Sequence, residues 1–153
     1  MANTYTQIYI QFVFAVQERA SLVAPKHQEE LNKYITGITR NKGSVMIAVN
    51  GMPDHLHILL GLNPGHSISD LARDLKSSST DWINRKRWFN GNFYWQEGFG
   101  AFSYSRSQID RVAKYIMNQQ AHHSKRTFRD EYISLLRKFD IGFENKYLFK
   151  QAQ

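Results

Sequence analysis

Two histidines separated by one residue, His55 and His57, begin a stretch with the composition of a β-strand, residues 55–62. Side chains alternate between the two faces of a strand, so both imidazoles share one face and Leu56 lies on the other. Two imidazoles this close together can bind a single metal ion. The alternative is that both side chains simply lie on a solvated face of the sheet.

A tyrosine and a glutamine four residues apart, Tyr115 and Gln119, lie in a segment with helical spacing. At about 100° per residue, both point to the same side of the helix, beside its apolar stripe, and His122 falls in the same sector. The stripe consists of Ile109, Val112, Ala113 and Ile116. The alternative is a boundary tyrosine that packs its ring and solvates its hydroxyl. The other histidines (His27, His66 and His123) are expected at the surface.

Together, His55, His57 and Gln119 offer two nitrogen ligands and one oxygen ligand. Such a set leaves positions open for water or phosphate oxygens on an ion such as Mg²⁺ or Mn²⁺. The hydroxyl of Tyr115 is then a candidate nucleophile towards phosphorus. A phenol has an ordinary pKa of about 10, so it needs help to lose its proton. The sequence indicates no dedicated base, which leaves the field of the metal ion for this role.

Eight predicted elements carry these residues, in the order β-α-β-β-α-β-α-α. The predicted strands are 5–16, 44–50, 55–62 and 93–104, the last in one piece or in two pieces broken around Gly98 and Gly100. The predicted helices are 25–42, 68–86, 107–122 and 128–138. Ser67 and Ser107 are the expected caps of the second and third helices. The first six elements match the ferredoxin-like split βαβ arrangement, which is also RRM-like. We therefore expect an α+β fold: an antiparallel sheet with helices packed on one face, plus a C-terminal helix that carries Tyr115.

The length, net charge and cysteine count of the chain limit the classes of protein to which it can belong. The 153 residues, 42% of them hydrophobic, predict a single domain over 1–153 with a core of its own. Lysine and arginine number 20 against 13 acids, and the net charge of +7 favours nucleic acid as a partner, ahead of an anionic membrane. The absence of cysteine excludes disulfides and thiolate metal sites. With no apolar run long enough for a membrane span and no signal-peptide pattern, a cytoplasmic protein is expected.

Three groups of basic residues are candidates for DNA contacts. Arg85, Lys86 and Arg87 precede Trp88 and Phe89, which joins charge to rings that can stack on bases. The other two groups are Lys125 with Arg126, just beyond the tyrosine helix, and Lys76 beside a run of hydroxyl residues. For each group the alternative is an ordinary solvated surface.

The motifs resemble a known family, the HUH single-strand transposases of the insertion-sequence-200-like single-tyrosine type. The resemblance is carried by His55-Leu56-His57 after Met52-Pro53-Asp54, by Tyr115 with Gln119, and by the segment Trp95-Gln96-Glu97-Gly98-Phe99. It covers about residues 5–122, and 123–153 have no counterpart in it.

The resemblance implies a transposase that cleaves and rejoins single-stranded DNA at the hairpin ends of a mobile element. Tyr115 would form a 5′-phosphotyrosine and release a 3′-hydroxyl, with Mg²⁺ or Mn²⁺ held by His55, His57 and Gln119. It also implies a homodimer in which the tyrosine helix of one subunit can complete the histidine site of the other.

Three other functions remain open from the sequence. A domesticated relative that binds and nicks chromosomal repeat hairpins would share all the chemistry. An RNA-binding module would suit the ferredoxin-like sheet and the charge, but it leaves both motifs unexplained. A metal-dependent phosphoesterase that uses water would tolerate the loss of the Tyr115 hydroxyl.

Overall fold

The computed structural model describes residues 4–17, 21–123, 126–144 and 148. These residues form four strands and five helices, with a 3₁₀ turn (Arg106–Gln108) before the third helix. The elements are β1 (Tyr9–Ala15), α1 (Pro25–Asn41), β2 (Val45–Met52), β3 (His55–Gly61), α2 (Ile68–Lys86), β4 (Gly100–Tyr104), α3 (Ile109–Met117), α4 (Gln119–His123) and α5 (Phe128–Lys138). Among the helices described, none is both long and apolar enough to cross a membrane.

The strands form one antiparallel sheet in the order β2-β3-β1-β4, which confirms the ferredoxin-like prediction. The two central strands, β1 and β3, are also the most apolar, because both of their faces are covered. The register places His57 between Val13 of β1 and Asn50 of β2. The histidine strand is therefore fixed from both sides by backbone hydrogen bonds.

One face of the sheet packs against α1 and α2 and forms the first core. Alternate residues of β1 and β3 supply its floor: Phe12 and Phe14, with Leu56 and Ile58. The helices supply its roof through Leu31, Ile35, Ile38, Leu71, Leu75 and Ile83. This is the predicted arrangement of two helices on one face, with Leu56 on the face opposite the two histidines.

The other face of the sheet packs against α3 and α5 and forms the second core. Val13, Leu59 and Phe102 of the sheet meet Ile116 of α3 and Leu136 of α5. Phe139 and Phe143, from the segment that follows α5, pack against the same cluster. The sheet is thus covered on both faces, and α5 belongs to the layer that covers the histidines.

Several predicted boundaries are wrong. The predicted strand 5–16 is shorter (β1). The predicted strand 93–104 consists of two pieces, an isolated bridge between Val16 and Trp95 and then β4, with the break in the region of Gly98 and Gly100 that the sequence indicated. The predicted cap Ser107 is replaced by Ser105, whose side chain and backbone pair with Gln108 in a capping box.

The predicted helix 107–122 is not continuous, because it breaks at Asn118. The side-chain amide of Asn50 on β2 donates to the carbonyls of Ile116 and Met117, both at 3.2 Å. Carbonyls at the end of a helix have no partner within it, so this long-range contact stabilises the end of α3 at this point. The chain then turns and begins α4 at Gln119.

Gly51 in β2 is expected to be essential for the strand that carries the histidines. A Cβ at this position would lie 2.2 Å from the backbone carbonyl oxygen of His55, and no side-chain rotation relieves such a clash. We expect Gly51→Ala to lower the free energy of unfolding by roughly 2 kcal/mol or more.

The matched control is Gly37→Ala in α1, where an added Cβ meets nothing within 4 Å. There the substitution should raise stability by about 0.5–1 kcal/mol, since alanine is the better helix former. Urea unfolding of both variants measures the difference. An equal effect in the two variants would contradict the role given to Gly51.

Candidate active site

His55 and His57 lie on the second-core face of β3, and both are buried, with 1% and 0% of their surface exposed. Their rings meet edge to face, with centroids 5.1 Å apart. The alternative of a solvated sheet face is therefore wrong, because α4 and α5 cover these side chains. The ring of Phe128, at the start of α5, stacks on His55 at 4.0 Å.

A carboxylate that the sequence analysis missed, Glu131 of α5, lies against both histidines. Its Oε1 atom is 2.9 Å from Nε2 of His57 and 3.4 Å from Nε2 of His55. Glu131 is 1% exposed, which is unusual for an acid unless partners compensate its charge. One signal could have identified it: Glu131 lies on the apolar stripe of α5, between Phe128 and Leu135, where an acid has no packing role.

Gln119 is brought to the two histidines, as predicted, and it is fully buried. Its Oε1 accepts from Nε2 of His55 at 2.9 Å, and its Nε2 donates to Oε2 of Glu131 at 3.2 Å. The break at Asn118 makes this possible, because it reorients the chain immediately before Gln119.

Tyr115 lies at the edge of the same cluster, half-buried on α3. Its hydroxyl donates to Oε2 of Glu131. Its ring stacks on His122, with centroids 4.3 Å apart. The pKa of the phenol is raised, first by burial and then by the hydrogen bond and negative charge of Glu131. The expectation that no base accompanies the tyrosine is wrong, since a carboxylate contacts its hydroxyl.

His123, expected at the surface, belongs to the cluster instead. Its Nε2 donates to Oε1 of Glu131 at 3.1 Å, and its ring lies 4.7 Å from that of His55. His122 was expected at the surface, with a helical position that could bring it near the site, and its ring does contact Tyr115. The carboxylate of Glu131, however, is contacted by His123, because the turn at Asn118 rotates α4 relative to α3.

Each histidine is oriented by a partner on its second ring nitrogen. His55 donates from Nδ1 to Asp54 at 2.7 Å, and His57 accepts on Nδ1 from the amide of Gln11 at 2.8 Å. Burial lowers the pKa of His55, but Asp54 and Glu131 outweigh it and raise the value to about 9. Burial dominates for His57 and lowers its pKa. Near neutral pH, this pair therefore consists of one charged imidazole, His55, and one neutral imidazole, His57.

The charge of Glu131 is compensated within this cluster. Burial alone would raise the pKa of its carboxyl, but the hydrogen bonds from His55 and His57 lower it far below the ordinary range. Its two oxygens have separate partners: Oε1 faces the histidines, and Oε2 faces Tyr115 and Gln119. One carboxylate thus links the histidine pair to the tyrosine.

His55, His57 and Glu131 fit a metal ion by their chemistry and their spacing. One ligand atom from each lies within 4.8 Å of the others, and all three residues are buried. For His55, the Nδ1 atom opposite the ligand atom donates to the carboxylate of Asp54, as is usual for a histidine that binds metal. The group could therefore hold a divalent ion, with Glu131 as a ligand that the predicted set (His55, His57 and Gln119) did not include.

The predicted DNA-contacting residues lie in two places. Arg85, Lys86 and Arg87 lie at the end of α2, on the first-core side of the sheet, away from Tyr115. Lys86 pairs with Glu30 at 3.1 Å. The rings of Trp88 and Phe89 pack against the first core, which limits their use for stacking on bases.

Lys76 and Arg126 differ in their surroundings. Lys76 donates to the carbonyls of Gln96 and Gly98, both at 2.7 Å, so only one of its three N–H groups remains for a phosphate. Arg126 lines a cavity of ≈ 230 Å³ beside Tyr115. Lys125 lies outside the described residues.

The fold and this site define a candidate metal-binding catalytic centre on a ferredoxin-like sheet, with a tyrosine beside the metal ligands. A sequence model of the IS200-like transposase family matches residues 4–119. The chain therefore belongs to the IS200-like transposase family.

Individual relatives agree with this assignment. The ISDra2 transposase TnpA of Deinococcus radiodurans is 24% identical over 120 residues, which cover 74% of this chain and 84% of that protein. A crystal structure of a candidate transposase from D. radiodurans R1 has a TM-score of 0.60 at 22% identity, covering 78% of this chain and 95% of that one. A structure of a REP-associated tyrosine transposase bound to a REP hairpin has a TM-score of 0.59 at 19% identity, covering 80% of this chain and 73% of that one. The two structures support the fold.

Asp54→Asn is expected to flatten the pH dependence of stability in the metal-free protein. The pKa of His55 is about 9 when folded, against 6.5 for an ordinary histidine. Between these values the folded chain holds a proton that the unfolded chain has lost, so stability falls as pH rises. A full proton difference gives a slope of about 1.4 kcal/mol per pH unit. Over this pH range Glu131 is ionised in both the folded and the unfolded chain, and towards pH 9 His57 is neutral in both. Neither residue therefore adds to the slope at that end of the range.

Urea midpoints measured across this range in the presence of a chelator test the expectation. Asp110→Asn is the control, because that carboxylate is exposed and lies outside the cluster. The Asp110→Asn variant should show the same slope of stability against pH as the unaltered protein. Equal slopes in all three proteins would contradict the raised pKa of His55.

Proposed function

We propose that the protein is a transposase that cleaves and rejoins single-stranded DNA through a covalent bond between Tyr115 and a 5′-phosphate. One observation carries the proposal: Glu131 contacts the hydroxyl of Tyr115 with one oxygen and His57 with the other. Nucleophile and metal-ligand candidates therefore form a single hydrogen-bonded unit within one chain. The family membership supports the same activity.

In the proposed reaction the Tyr115 oxygen bonds to phosphorus, and the bond from phosphorus to the 3′ oxygen breaks. The phenol loses a proton and the leaving 3′ oxygen gains one, so the step is balanced. Oε2 of Glu131 is the group placed to accept the phenol proton, as a general base acts within hydrogen-bonding distance. The phosphotyrosine keeps the energy of the broken diester, so a later attack by a 3′-hydroxyl reverses the step without ATP.

We further propose that His55, His57 and Glu131 bind Mg²⁺ or Mn²⁺, with Gln119 as an additional oxygen donor. The mixed set of two imidazoles and a carboxylate suits Mn²⁺ at least as well as Mg²⁺, since imidazole favours the transition metals. When bound, such an ion polarises the phosphate as a Lewis acid and offsets the charge of Glu131 beside Tyr115. The chain's own residues orient both histidines through Asp54 and Gln11.

The partner we propose is the single-stranded hairpin end of a mobile element. The chain brings Tyr115 to its own histidines, whereas the resemblance implies a dimer that can exchange tyrosine helices between subunits. Dimer formation stays a prediction.

Tyr115→Phe is expected to abolish a covalent protein–DNA adduct while leaving the fold intact. The assay incubates the protein with Mn²⁺ or Mg²⁺ and single-stranded oligonucleotides from both sides of its gene, and resolves the products on a denaturing gel. Tyr34→Phe is the matched control, since that tyrosine stacks on Trp82 on the other side of the sheet.

The adduct should require the metal ion and vanish only in the Tyr115 variant. Cleavage that persists in Tyr115→Phe, with no adduct, would instead indicate a phosphoesterase that uses water. Binding of DNA or RNA without cleavage by the unaltered protein would indicate a non-catalytic module.

Glu131→Gln is expected to weaken Mn²⁺ binding more than Gln119→Leu does. The first substitution removes a charged ligand, and the second removes a neutral oxygen that lies against His55. Loss of a group that only orients a ligand typically costs 10–100-fold in affinity, so we expect roughly 100-fold or more for Glu131. Calorimetric titration with Mn²⁺, alongside circular dichroism for folding, measures both. A larger loss in the Gln119 variant would favour the ligand set implied by the resemblance.

A further inference from the structure

A cavity of ≈ 230 Å³ opens beside Tyr115, between α3 and α5. Tyr115 and Glu131 form part of its wall, so it reaches the hydroxyl proposed as the nucleophile. Three cationic side chains also line it: Arg111, Arg126 and Lys138. It is smaller than the roughly 300–1,000 Å³ typical of small-molecule sites, so it suits a single chemical group rather than a whole nucleotide.

The charges in this wall are unbalanced in favour of an anion. Among the described residues that line the cavity, Glu131 is the one acid, and the histidines already compensate its charge. Three cations therefore face a space whose one carboxylate already pairs with His55 and His57. A phosphate group matches this chemistry, because arginine and lysine are the side chains that bind phosphate oxygens.

The cations are positioned by ordered elements. Arg111 lies one helical turn before Tyr115 on α3, so the two side chains share a face. Nη2 of Arg126 donates to Oγ of Ser134 at 2.8 Å and to the carbonyl of Asp130 at 3.2 Å, which fixes its guanidinium over α5. Nζ of Lys138 lies 5.6 Å from the centre of the Tyr104 ring, another wall of the cavity.

We propose that Arg111, Arg126 and Lys138 bind a backbone phosphate of the single strand, next to the phosphate that Tyr115 attacks. The inference rests on the proposed function and adds a subsite to it. The attacked phosphate must reach both the Tyr115 hydroxyl and the histidines. The wall of the cavity includes Tyr115 and Glu131 but neither His55 nor His57, so the cavity is assigned to the neighbouring phosphate along the strand. Arg126 and Lys138 lie beyond residue 119, where the family match ends, so this chain's C-terminal segment supplies two of the three cations.

The test compares two double variants with the same net charge. Arg111→Gln with Lys138→Gln removes one cavity cation from α3 and one from α5. Lys114→Gln with Arg137→Gln removes one cation from each of the same helices, outside the wall of the cavity. Binding of fluorescently labelled single strands from the DNA beside the gene is measured by anisotropy over a series of salt concentrations. Adduct formation is measured on the same samples.

Each phosphate contact on a single strand contributes about 0.7 to the slope of log affinity against log salt. Because the three cations bind one phosphate, we expect the cavity pair to reduce this slope by up to about 0.7 and to slow adduct formation, whereas the control pair keeps the slope of the unaltered protein. Arg126→Gln alone should lower the slope in the same direction, by no more than about 0.7.

Equal slopes in the two double variants, with an unaltered protein that binds and forms the adduct, would overturn the subsite alone. An unaltered protein that neither binds the strands nor forms an adduct would overturn the proposed function, and the subsite with it. Circular dichroism of every variant separates a lost contact from a lost fold.

Discussion

The buried charge of Glu131 is the constraint on which the site depends. An ionised carboxylate away from water is costly unless hydrogen-bond donors surround it, and here the donors come from β3, α3 and α4. One carboxylate therefore couples the packing of α5 to the position of the histidines and to that of Tyr115. Groups shared in this way act as a network, so the loss of one member leaves the others with unpaired polar atoms.

The order of elements, the split βαβ arrangement and the shared face of the two histidines could all be predicted from the sequence, because each depends on local spacing. Period-two alternation in 55–62 places Leu56 and His57 on opposite faces whatever the strand pairs with. The break at Asn118 could not be predicted, because it depends on a contact between Asn50 and the carbonyl of Ile116, and these residues are 66 positions apart in the sequence. The helical periodicity around Asn118 gives no sign of that partner.

The position of Glu131 on an apolar helix stripe marks it as unusual in the sequence, but its contact with the histidines could not be predicted, for a similar reason. It lies 74 residues from His57, in a segment without a counterpart in the family resemblance. His123 was missed because the turn after α3 changes which residue of α4 faces the sheet. The basic groups illustrate the limits of composition: Arg85 and Arg126 look equivalent in sequence, yet the sheet separates the helix end that carries Arg85 from Tyr115, whereas Arg126 lines the cavity beside it.

Asn50 stands opposite His57 in the β2–β3 pairing and also holds the carbonyls at the end of α3. The height of Tyr115 above the sheet is therefore set by strand register rather than by the length of its helix. A shift of one residue in the β2–β3 pairing would turn the side chain of Asn50 to the other face of the sheet, and the carbonyls at the end of α3 would lose their partner. The β2–β3 hairpin therefore fixes the distance between His57 and Tyr115, because Asn50 contacts the end of the helix that carries the tyrosine. Insertions in the segment before α3 can then be tolerated without a change in the position of Tyr115.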